Sequence, residues 1–413
     1  MNAIDNENDT QKEINTFSLE KLNAAVAGNA AAFRQITRLY PAGGTGSKVF
    51  PPTHSGGLYA WEKRRMANGE VLTTVLLDSV QSQANRMEQA LLEALRAGKI
   101  KLPLLLVDFS DYFEDIGIIT TFDAPHRIAD AIFRDSLLDG KKFRESDIGE
   151  KFVSSNIRNA TGLFQHCPHA LVFGVWDSTG SEGGLGNKFQ RAVVSEIVGI
   201  NAEKGVHTSS RIDPLGITKA AEMYRTNSGD WTLNSEEAKK NKKGESERAK
   251  PSDFVHGNIP PTIDGDERSG PLRGGVTIDH AIQTIVLSLP ALRRLRFPVN
   301  NDQTQERNNA ARTVLAALGL SGICHMHENG YDLRSRCLLI PDGIAPFEVI
   351  ENDGKVEMFK LNSKITDKIL QEAITQAKEV DLPWHEDAVI LTPEDRLLKA
   401  VSKSREAKSS VEE

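Results

Sequence analysis

Cysteine is scarce in this sequence: the 413-residue chain has three, at positions 167, 324 and 337. Three thiols cannot build a disulfide framework, so a reduced compartment is expected. The longest apolar runs, such as 104–107, are far shorter than the roughly 20 residues of a membrane-spanning helix. Residues 1–20 are acidic and polar and have no apolar core typical of a signal peptide. These features predict a cytoplasmic protein that does not enter a membrane.

Catalytic and cofactor motifs are also missing. The glycine-rich stretch 43–48 has Ser47 before Lys48 and Val49 after it, whereas a phosphate-binding Walker loop requires Gly before Lys and Ser or Thr after it. The stretch 183–188 fails in the same way and lacks the third glycine of a dinucleotide fingerprint. There is no G-x-S-x-G nucleophile elbow. We therefore expect no cofactor and no enzyme activity.

Two histidine–cysteine clusters and one acidic cluster are the candidates for a metal site. The first are His166-Cys167-Pro168-His169 and Cys324-His325-Met326-His327, whose spacings match no standard zinc pattern. Asp108, Asp111, Glu114 and Asp115 follow a predicted strand, as the carboxylates of a hydrolytic magnesium site would. We expect the residues of all three clusters to be ordinary buried or solvated side chains, so no metal is predicted.

Charge is unevenly distributed. Apolar residues make up 39% of the chain, enough for a sizeable core, and the net charge is −7. Residues 1–20 carry −4 and residues 341–413 carry −6, which leaves +3 for the middle. This balance permits a polyanionic ligand in a local basic groove without requiring one.

Hydrophobic periodicity predicts an α+β protein. The clearest element is a helix at 79–97, with Asp78 or Ser79 at its start and Gly98 after its end. Predicted strands lie at 35–40, 71–77, 102–109, 116–122, 170–176, 192–200 and 334–340. The apolar residues of 276–289 fit either a strand or a helix, and a strand leading into a short helix with Arg293, Arg294 and Arg296 is preferred. A second helix is expected at 305–318, closed by Gly319. Strands and helices without strict alternation favour α+β over α/β.

Residues 226–273 interrupt this pattern. The run 234–252 has no large apolar residue and carries four acids and six bases. Such a segment is either a solvated flexible loop or a polar arm that becomes ordered on a partner.

Four features suit an extended polyanion. Lys48 follows a glycine-rich loop whose backbone could approach a phosphate. Basic residues 63–65 follow Tyr59 and Trp61, a combination that single-stranded nucleic acid favours. The start of the 79–97 helix offers unpaired N–H groups beside polar side chains. Arg211 lies in a loop shaped by Pro214 and Gly216, where it could also simply pair with Asp213.

The stretches 75–88, 38–44, 48–53, 210–216 and 289–297 carry a resemblance to a known family. The sequence resembles the crRNA-binding backbone subunit of the type I-G (earlier I-U) CRISPR Cascade effector complex, in the RAMP superfamily, over roughly residues 30–340. The resemblance implies an RRM-like (ferredoxin-like) palm with finger and thumb insertions, and no nuclease activity. Implied partners are crRNA, target DNA through guide pairing, other copies of the chain and other Cascade subunits.

On this basis the chain divides into four parts. Residues 1–25 are expected to form an acidic tail, 26–225 and 274–345 a discontinuous palm, 226–273 a charged flexible insertion, and 346–413 an acidic helical region. Twelve residues are predicted to bind RNA backbone, eight by charge and four by hydrogen bonds. They are Arg38, Lys48, Arg64, Arg65, Arg86, Arg158, Lys188 and Arg211, and then Ser79, Gln81, Ser82 and Asn85.

Two rival functions remain open from the sequence. One is a metal-dependent RNA-processing nuclease that uses the 108–115 acids or the His/Cys clusters. The other is a protein–protein scaffold that binds no nucleic acid.

Overall fold

A computed structural model describes residues 14–179, 188–218, 220–264, 274–343 and 345–412. The chain forms two compact units. The first comprises Met1–Ser47, Trp61–Ala202 and Ile278–Glu394. The second comprises Lys48–Ala60, Glu203–Thr277 and Asp395–Glu413.

The strands of the described residues are numbered here in chain order. They are β1 (Ile14–Asn15), β2 (Ala30–Pro41), β3 (Trp61–Arg65), β4 (Val71–Asp78), β5 (Leu104–Asp108), β6 (Ile118–Thr120), β7 (Ser136–Leu138), β8 (Lys141–Lys142), β9 (Val175–Trp176), β10 (Lys188–Phe189), β11 (Val193–Ile200), β12 (Glu203–Lys204), β13 (His207–Arg211), β14 (Met223–Arg225), β15 (Trp231–Thr232), β16 (Arg248–Ala249), β17 (Ile259–Asp264), β18 (Val276–Thr277), β19 (His280–Ser288), β20 (Tyr331–Asp332), β21 (Leu338–Pro341), β22 (Phe347–Glu351), β23 (Val356–Phe359) and β24 (Ala388–Pro393).

The helices of the same residues are numbered likewise. They are α1 (Leu19–Ala27), α2 (Val80–Arg96), α3 (Ala131–Arg134), α4 (Asp147–Val153), α5 (Thr161–His166), α6 (Pro168–Phe173), α7 (Leu289–Arg293), α8 (Gln305–Glu328), α9 (Ser363–Glu379) and α10 (Asp395–Glu412). The fold is mixed α+β with several antiparallel sheets, as the sequence predicts. No described helix is both long enough and apolar enough to cross a membrane.

The first unit is built on a large sheet whose main order is β1-β23-β22-β2-β19-β11-β4-β3. Its core is the run β22-β2-β19-β11, in which every neighbouring pair is antiparallel. Residues of β19 alternate between buried and half-buried, so the sheet has one covered face and one open face. The strands predicted at 35–40, 71–77 and 192–200 correspond to β2, β4 and β11, which all belong to this sheet.

Helices α2 and α8 cover the buried face. Ser79 caps α2 through its side chain, and Gly98 follows the helix with a positive φ of 68°, both as predicted. The apolar side of α2, with Met87 and Leu91 fully buried, packs against α8 and β11. This packing, rather than helix propensity, accounts for most of the stability of such a helix.

Helix α8 differs from its prediction because it does not end at Gly319. It continues to Glu328 and is buried along nearly its whole length. A Cβ on Gly319 would lie 3.1 Å from the Val193 Cγ2, and one on Gly322 would lie 3.2 Å from the Leu91 Cδ1. The glycines therefore permit close packing on β11 and α2 instead of terminating the helix.

Three other predicted elements need correction. Residues 170–176 are mainly helix α6 followed by the two-residue strand β9, because Pro168 opens a helix whose residues are buried on all sides. The expected 1–25 tail contains helix α1, capped by Ser18 and anchored by the buried Phe17 and Leu22. The C-terminal region is not helical throughout, since it also supplies β22, β23 and β24.

A smaller sheet of order β6-β5-β24-β7-β8 completes the first unit, with β24 parallel to β5. The acidic residues 108–115 follow β5 in a turn, where the Ser110 N–H donates to the Asp108 carboxylate over 2.9 Å. Asp111, Glu114 and Asp115 are exposed and Asp108 is half-buried, so the four carboxylates do not surround a buried centre.

The second unit is made of short antiparallel pairs: β12 with β18, β13 with β17, and β15-β14-β16. It includes the described part of the charged insertion, and its middle segment begins at Glu203, upstream of the insertion boundary predicted at 226. Residues 234–252 contribute β16 and turns, with Ala238 among their few buried side chains.

Candidate nucleic-acid interface

The start of helix α2 carries five of the predicted residues. The Ser79 hydroxyl accepts from the Ser82 N–H over 3.2 Å, so both serines serve the helix cap. Gln81 and Asn85 are exposed on the adjoining turns. Polar donors therefore stand beside the positive end of a 17-residue helix, as the sequence predicts.

Arg86 has a different setting from the one expected of a free phosphate contact. Its Nε donates to the buried Asp78 carboxylate over 2.9 Å, and its Nη2 donates to the Leu333 carbonyl over 2.6 Å. Arg334 also donates to Asp78, over 3.2 Å. Two cations share one buried carboxylate, so the cluster keeps one net positive charge. Arg86 fastens α2 to the chain segment after β20.

A buried polar network continues inward from Asp78. The Gln83 amide donates to Asp78 over 2.6 Å, and its Oε1 accepts from Ser195 and from Gln283, over 2.8 Å and 2.7 Å. The Tyr331 hydroxyl donates to Gln283 over 3.1 Å. Each of these buried groups has a partner, which stabilises the position of the helix start.

The open face of the large sheet holds Arg38 and Arg64. Arg38 is exposed and lies opposite Ile282 of β19. Ile36 on the same strand is 49% exposed, so the face is partly apolar. Arg64 is half-buried and donates to Glu196 over 2.6 Å as well as to Glu62, and the hydrogen bond to Glu196 is the main cause of its raised pKa.

Arg65 and its strand lie at the edge of the sheet. Strand β3 is the last in the order, and the Arg65 side chain is exposed, with one long 3.5 Å contact from Nη1 to the Gly69 carbonyl. The basic cluster is thus split: Arg64 is held in ion pairs, whereas Arg65 faces solvent.

Lys188 lines a pocket of about 260 Å³ next to the Val193 end of β11. Ile157, the chain neighbour of Arg158, lines it as well, whereas Arg158 itself is not among the described lining residues. Arg294, which was not predicted, is the second cation that lines the pocket. All three of these cations are exposed.

Lys48 and Arg211 belong to the second unit. Lys48 is exposed, and its Nζ donates to the Val206 carbonyl over 2.9 Å. Arg211 is half-buried on β13. Asp213 is buried and accepts from the Gly257 N–H over 2.7 Å, which is the main reason that its pKa is lowered; the Arg211 charge also contributes.

The His/Cys clusters lie in the interior. His169 is fully buried, stacks on Phe122 at 3.9 Å between ring centroids, and has its pKa lowered to about 3 by burial. Burial raises the pKa of the Cys167 and Cys324 thiols to about 12, so neither is a ready nucleophile. In the part of the chain that the structure describes, no three His, Cys, Asp or Glu side chains form a group that could hold a metal.

The predicted residues of the first unit therefore lie in four places: the α2 start, the open sheet face with Arg38 and Arg64, the sheet edge with Arg65, and the region of the Lys188 pocket with the adjoining Arg158 turn. Sequence reasoning missed Arg334 and Arg294, because their neighbours come from distant parts of the chain. It also missed Tyr40 and Ile36 on the open face, although the alternation at 35–40 carries the signal that every second residue faces outward.

Residues 34–204 match the family model described as CRISPR-associated protein GSU0053 (Cas_GSU0053). The match takes in most of β2, all of α2 and all of β11. It supports a CRISPR-associated protein with a role in CRISPR defence, which implies interaction with other CRISPR components. No curated protein matches the chain.

Proposed function

We propose that this chain is the crRNA-binding backbone subunit of a type I-G CRISPR surveillance complex, in the RAMP superfamily. The observation that carries the proposal is the order of the large sheet. The core elements occur along the chain in the order β2, α2, β11, β19, α8 and β22. In the sheet, the four strands among them lie side by side as β22-β2-β19-β11. A β-α-β-β-α-β chain with this order is the pattern of a ferredoxin-like, RRM-like palm. The family match over residues 34–204 supports the same assignment.

The long connections of this palm correspond to the fingers and thumb of the proposed family. The segment between β11 and β19 contains Glu203–Thr277, the main part of the second unit. Its exposed apolar side chains include Ile212, Leu215 and Ile263. Exposed apolar residues on such an insertion suit contact with RNA bases or with a neighbouring subunit.

Guide recognition in such a complex needs no base-specific protein contacts, because pairing between the guide and the target strand reads the sequence. The exposed polar and basic groups suit this role: Arg38, Arg65, Gln81, Asn85, Arg158 and Lys188 in the first unit, and Lys48 in the second. Arg64, Arg86 and Ser79 are assigned to positioning these groups, since their side chains are engaged in internal bonds. Ser82, which contributes its backbone N–H to the cap, keeps its predicted hydrogen-bonding role. Arg211 retains its predicted phosphate role.

In this proposal several copies assemble along one crRNA and present it to target DNA, together with other Cascade subunits. Co-expression of the chain with a repeat–spacer transcript tests it directly. We expect a purified ribonucleoprotein with a high 260/280 absorbance ratio and a mass of several protomers per RNA. Equal affinity for unrelated spacer sequences is also expected. A monomer free of RNA under these conditions would contradict the proposal and favour a protein-only scaffold.

The proposal includes the absence of nuclease activity. Incubating the purified protein with labelled crRNA and Mg²⁺ or Mn²⁺ is expected to leave the RNA intact. Cleavage that disappears in an Asp108→Asn or Asp111→Asn variant would instead establish the metal-dependent nuclease.

A further inference from the structure

The pocket beside β10 has an apolar floor and a basic rim. Leu171, Phe189 and Leu295 line it as buried residues, whereas Lys188 and Arg294 line it as exposed ones. Its volume of about 260 Å³ is far above the ~15 Å³ that one water requires. No acidic side chain is among its described lining residues. The pocket therefore suits a group of several atoms that is apolar at one end and negative at the other.

Backbone hydrogen bonds join the chain around Ile157, which lines the pocket, to the segment that follows Arg294. The Arg296 N–H donates to the Ile157 carbonyl over 3.0 Å, and the Ala160 N–H donates to the Arg296 carbonyl over 2.8 Å. The turn that carries Arg158 is thereby fixed to the segment that carries Arg294. Arg294 itself is oriented by its 2.9 Å hydrogen bond to the Gln190 Oε1.

An exposed indole adjoins the rim on the other side. Lys188 Nζ lies 5.5 Å from the centroid of the Trp176 ring, and Trp176 is 51% exposed. Aromatic faces next to cations are the groups on which unstacked bases of single-stranded nucleic acid stack. An acidic peptide would use the cations but would leave the aromatic face and the apolar floor without a matching group.

We propose that this pocket holds one nucleotide of single-stranded RNA, with the base against the apolar floor and the flanking phosphates on Lys188 and Arg294. The inference rests on the proposed function and adds to it a place where the protein grips a base as well as the backbone. Because the floor is apolar, the grip does not depend on the identity of the base. The site selects a base that is unpaired and unstacked.

The charge part of the proposal is tested with a Lys188→Gln/Arg294→Gln double variant and labelled single-stranded RNA. The slope of log Kd against log salt is expected to decrease in magnitude by about 1.4, since each phosphate contact to a single strand contributes about 0.7. A Lys141→Gln/Lys142→Gln double variant is the matched control: it removes the same charge from exposed positions on β8 and should leave the slope unchanged.

The base part is tested with an Ala291→Leu variant, which fills the pocket, and with Ile157→Glu on its half-exposed rim. The first should weaken binding about five- to 150-fold without changing the salt slope, as expected for loss of one stacked base. Ile157→Glu does not depend on repacking a buried site, so it keeps the test valid if Ala291→Leu fails to fold. RNA containing 5-iodouridine should crosslink to peptides that contain Trp176 or Phe189.

The outcomes separate the two levels of the inference. If the wild-type protein binds no single-stranded RNA, the proposed function and the pocket both fail. If it binds RNA while all pocket variants bind equally well, and no crosslink maps to the pocket, only the pocket inference is overturned. Variants that retain full RNA affinity but lose self-association in light scattering would show a protein contact instead, which also overturns it.

Discussion

Arg86 could contact RNA directly or could stabilise the fold through internal hydrogen bonds. Replacing it by alanine has different consequences in the two cases. In the structure its guanidinium joins Asp78 at the end of β4 to the Leu333 carbonyl. Asp78 has no exposed side-chain surface, so it depends on protein partners for its charge. We expect Arg86→Ala to reduce stability and to leave the electrostatic part of RNA binding unchanged.

The expected loss follows from the bonds that are broken. A hydrogen bond that involves a charged group contributes about 1.5–3 kcal/mol. Asp78 retains Arg334 and Gln83 after the substitution, and Arg86 is 31% exposed, so the loss is nearer to one such bond than to the full set. The free energy of unfolding should fall by about 2–3 kcal/mol, measured by urea denaturation. Asp78→Asn should cost more, because it leaves two guanidinium groups without a counter-charge.

Arg38→Ala is the control for the RNA measurement. Arg38 is exposed on the open sheet face, so its loss should change stability by less than about 0.5 kcal/mol. In the proposed function it should reduce the salt slope of RNA binding by about 0.7. An Arg86→Ala protein with normal stability and a slope reduced by that amount would refute the internal structural role of Arg86 and support it as a phosphate contact.

Three further predictions concern stability. Glu88→Gln should lower the free energy of unfolding by about 3–5 kcal/mol in chemical denaturation, because it leaves the buried Arg127 without its counter-charge. A Glu88→Leu/Arg127→Met double variant should lower it by less, and an equal loss would contradict this explanation. Burial lowers the pKa of His169 to about 3, so below pH 6.5 the unfolded chain binds a proton that the folded chain does not. As the pH is lowered from 6.5, this residue should therefore reduce the free energy of unfolding by about 1.4 kcal/mol per pH unit. A His169→Gln variant with an unchanged pH profile would exclude the effect. Gly149→Ala should cost about 3 kcal/mol or more, because its Cβ would lie 1.8 Å from the Phe143 carbonyl oxygen; a wild-type melting temperature would show that α4 can shift.

Elements with a complete local signal were predictable from the sequence. Helix α2 has its apolar period, its Ser79 cap and its Gly98 terminus within one short segment, and the structure has all three. The β19–α7 transition is likewise readable from its own residues. The predicted helix end at Gly319 is wrong, although it follows the rule that a glycine after an apolar period usually ends a helix. Here its role is set by Val193, which lies far away in the chain.

The candidate site was predictable in its residue types and not in its arrangement. Arg158 and Lys188 are recognisable as cations from the sequence. The pocket that Lys188 shares with Arg294, and the backbone bonds between the 157–160 turn and Arg296, depend on contacts between distant parts of the chain. Arg86 is recognisable as a cation at a helix start, yet one of its partners, the Leu333 carbonyl, follows β20, far away in the chain. Local patterns identify which groups carry charge, whereas tertiary contacts decide which of them remain available to a ligand.

The central position of β2 affects how this protein can be made. Its three partners, β19, β21 and β22, are synthesised roughly 240, 300 and 310 residues later. On the ribosome, the first long strand must therefore wait unpaired until most of the chain has emerged. Fragments that stop before β19 leave an uncovered ribbon with exposed backbone groups and are expected to aggregate, so functional dissection of this molecule calls for point substitutions in the intact chain.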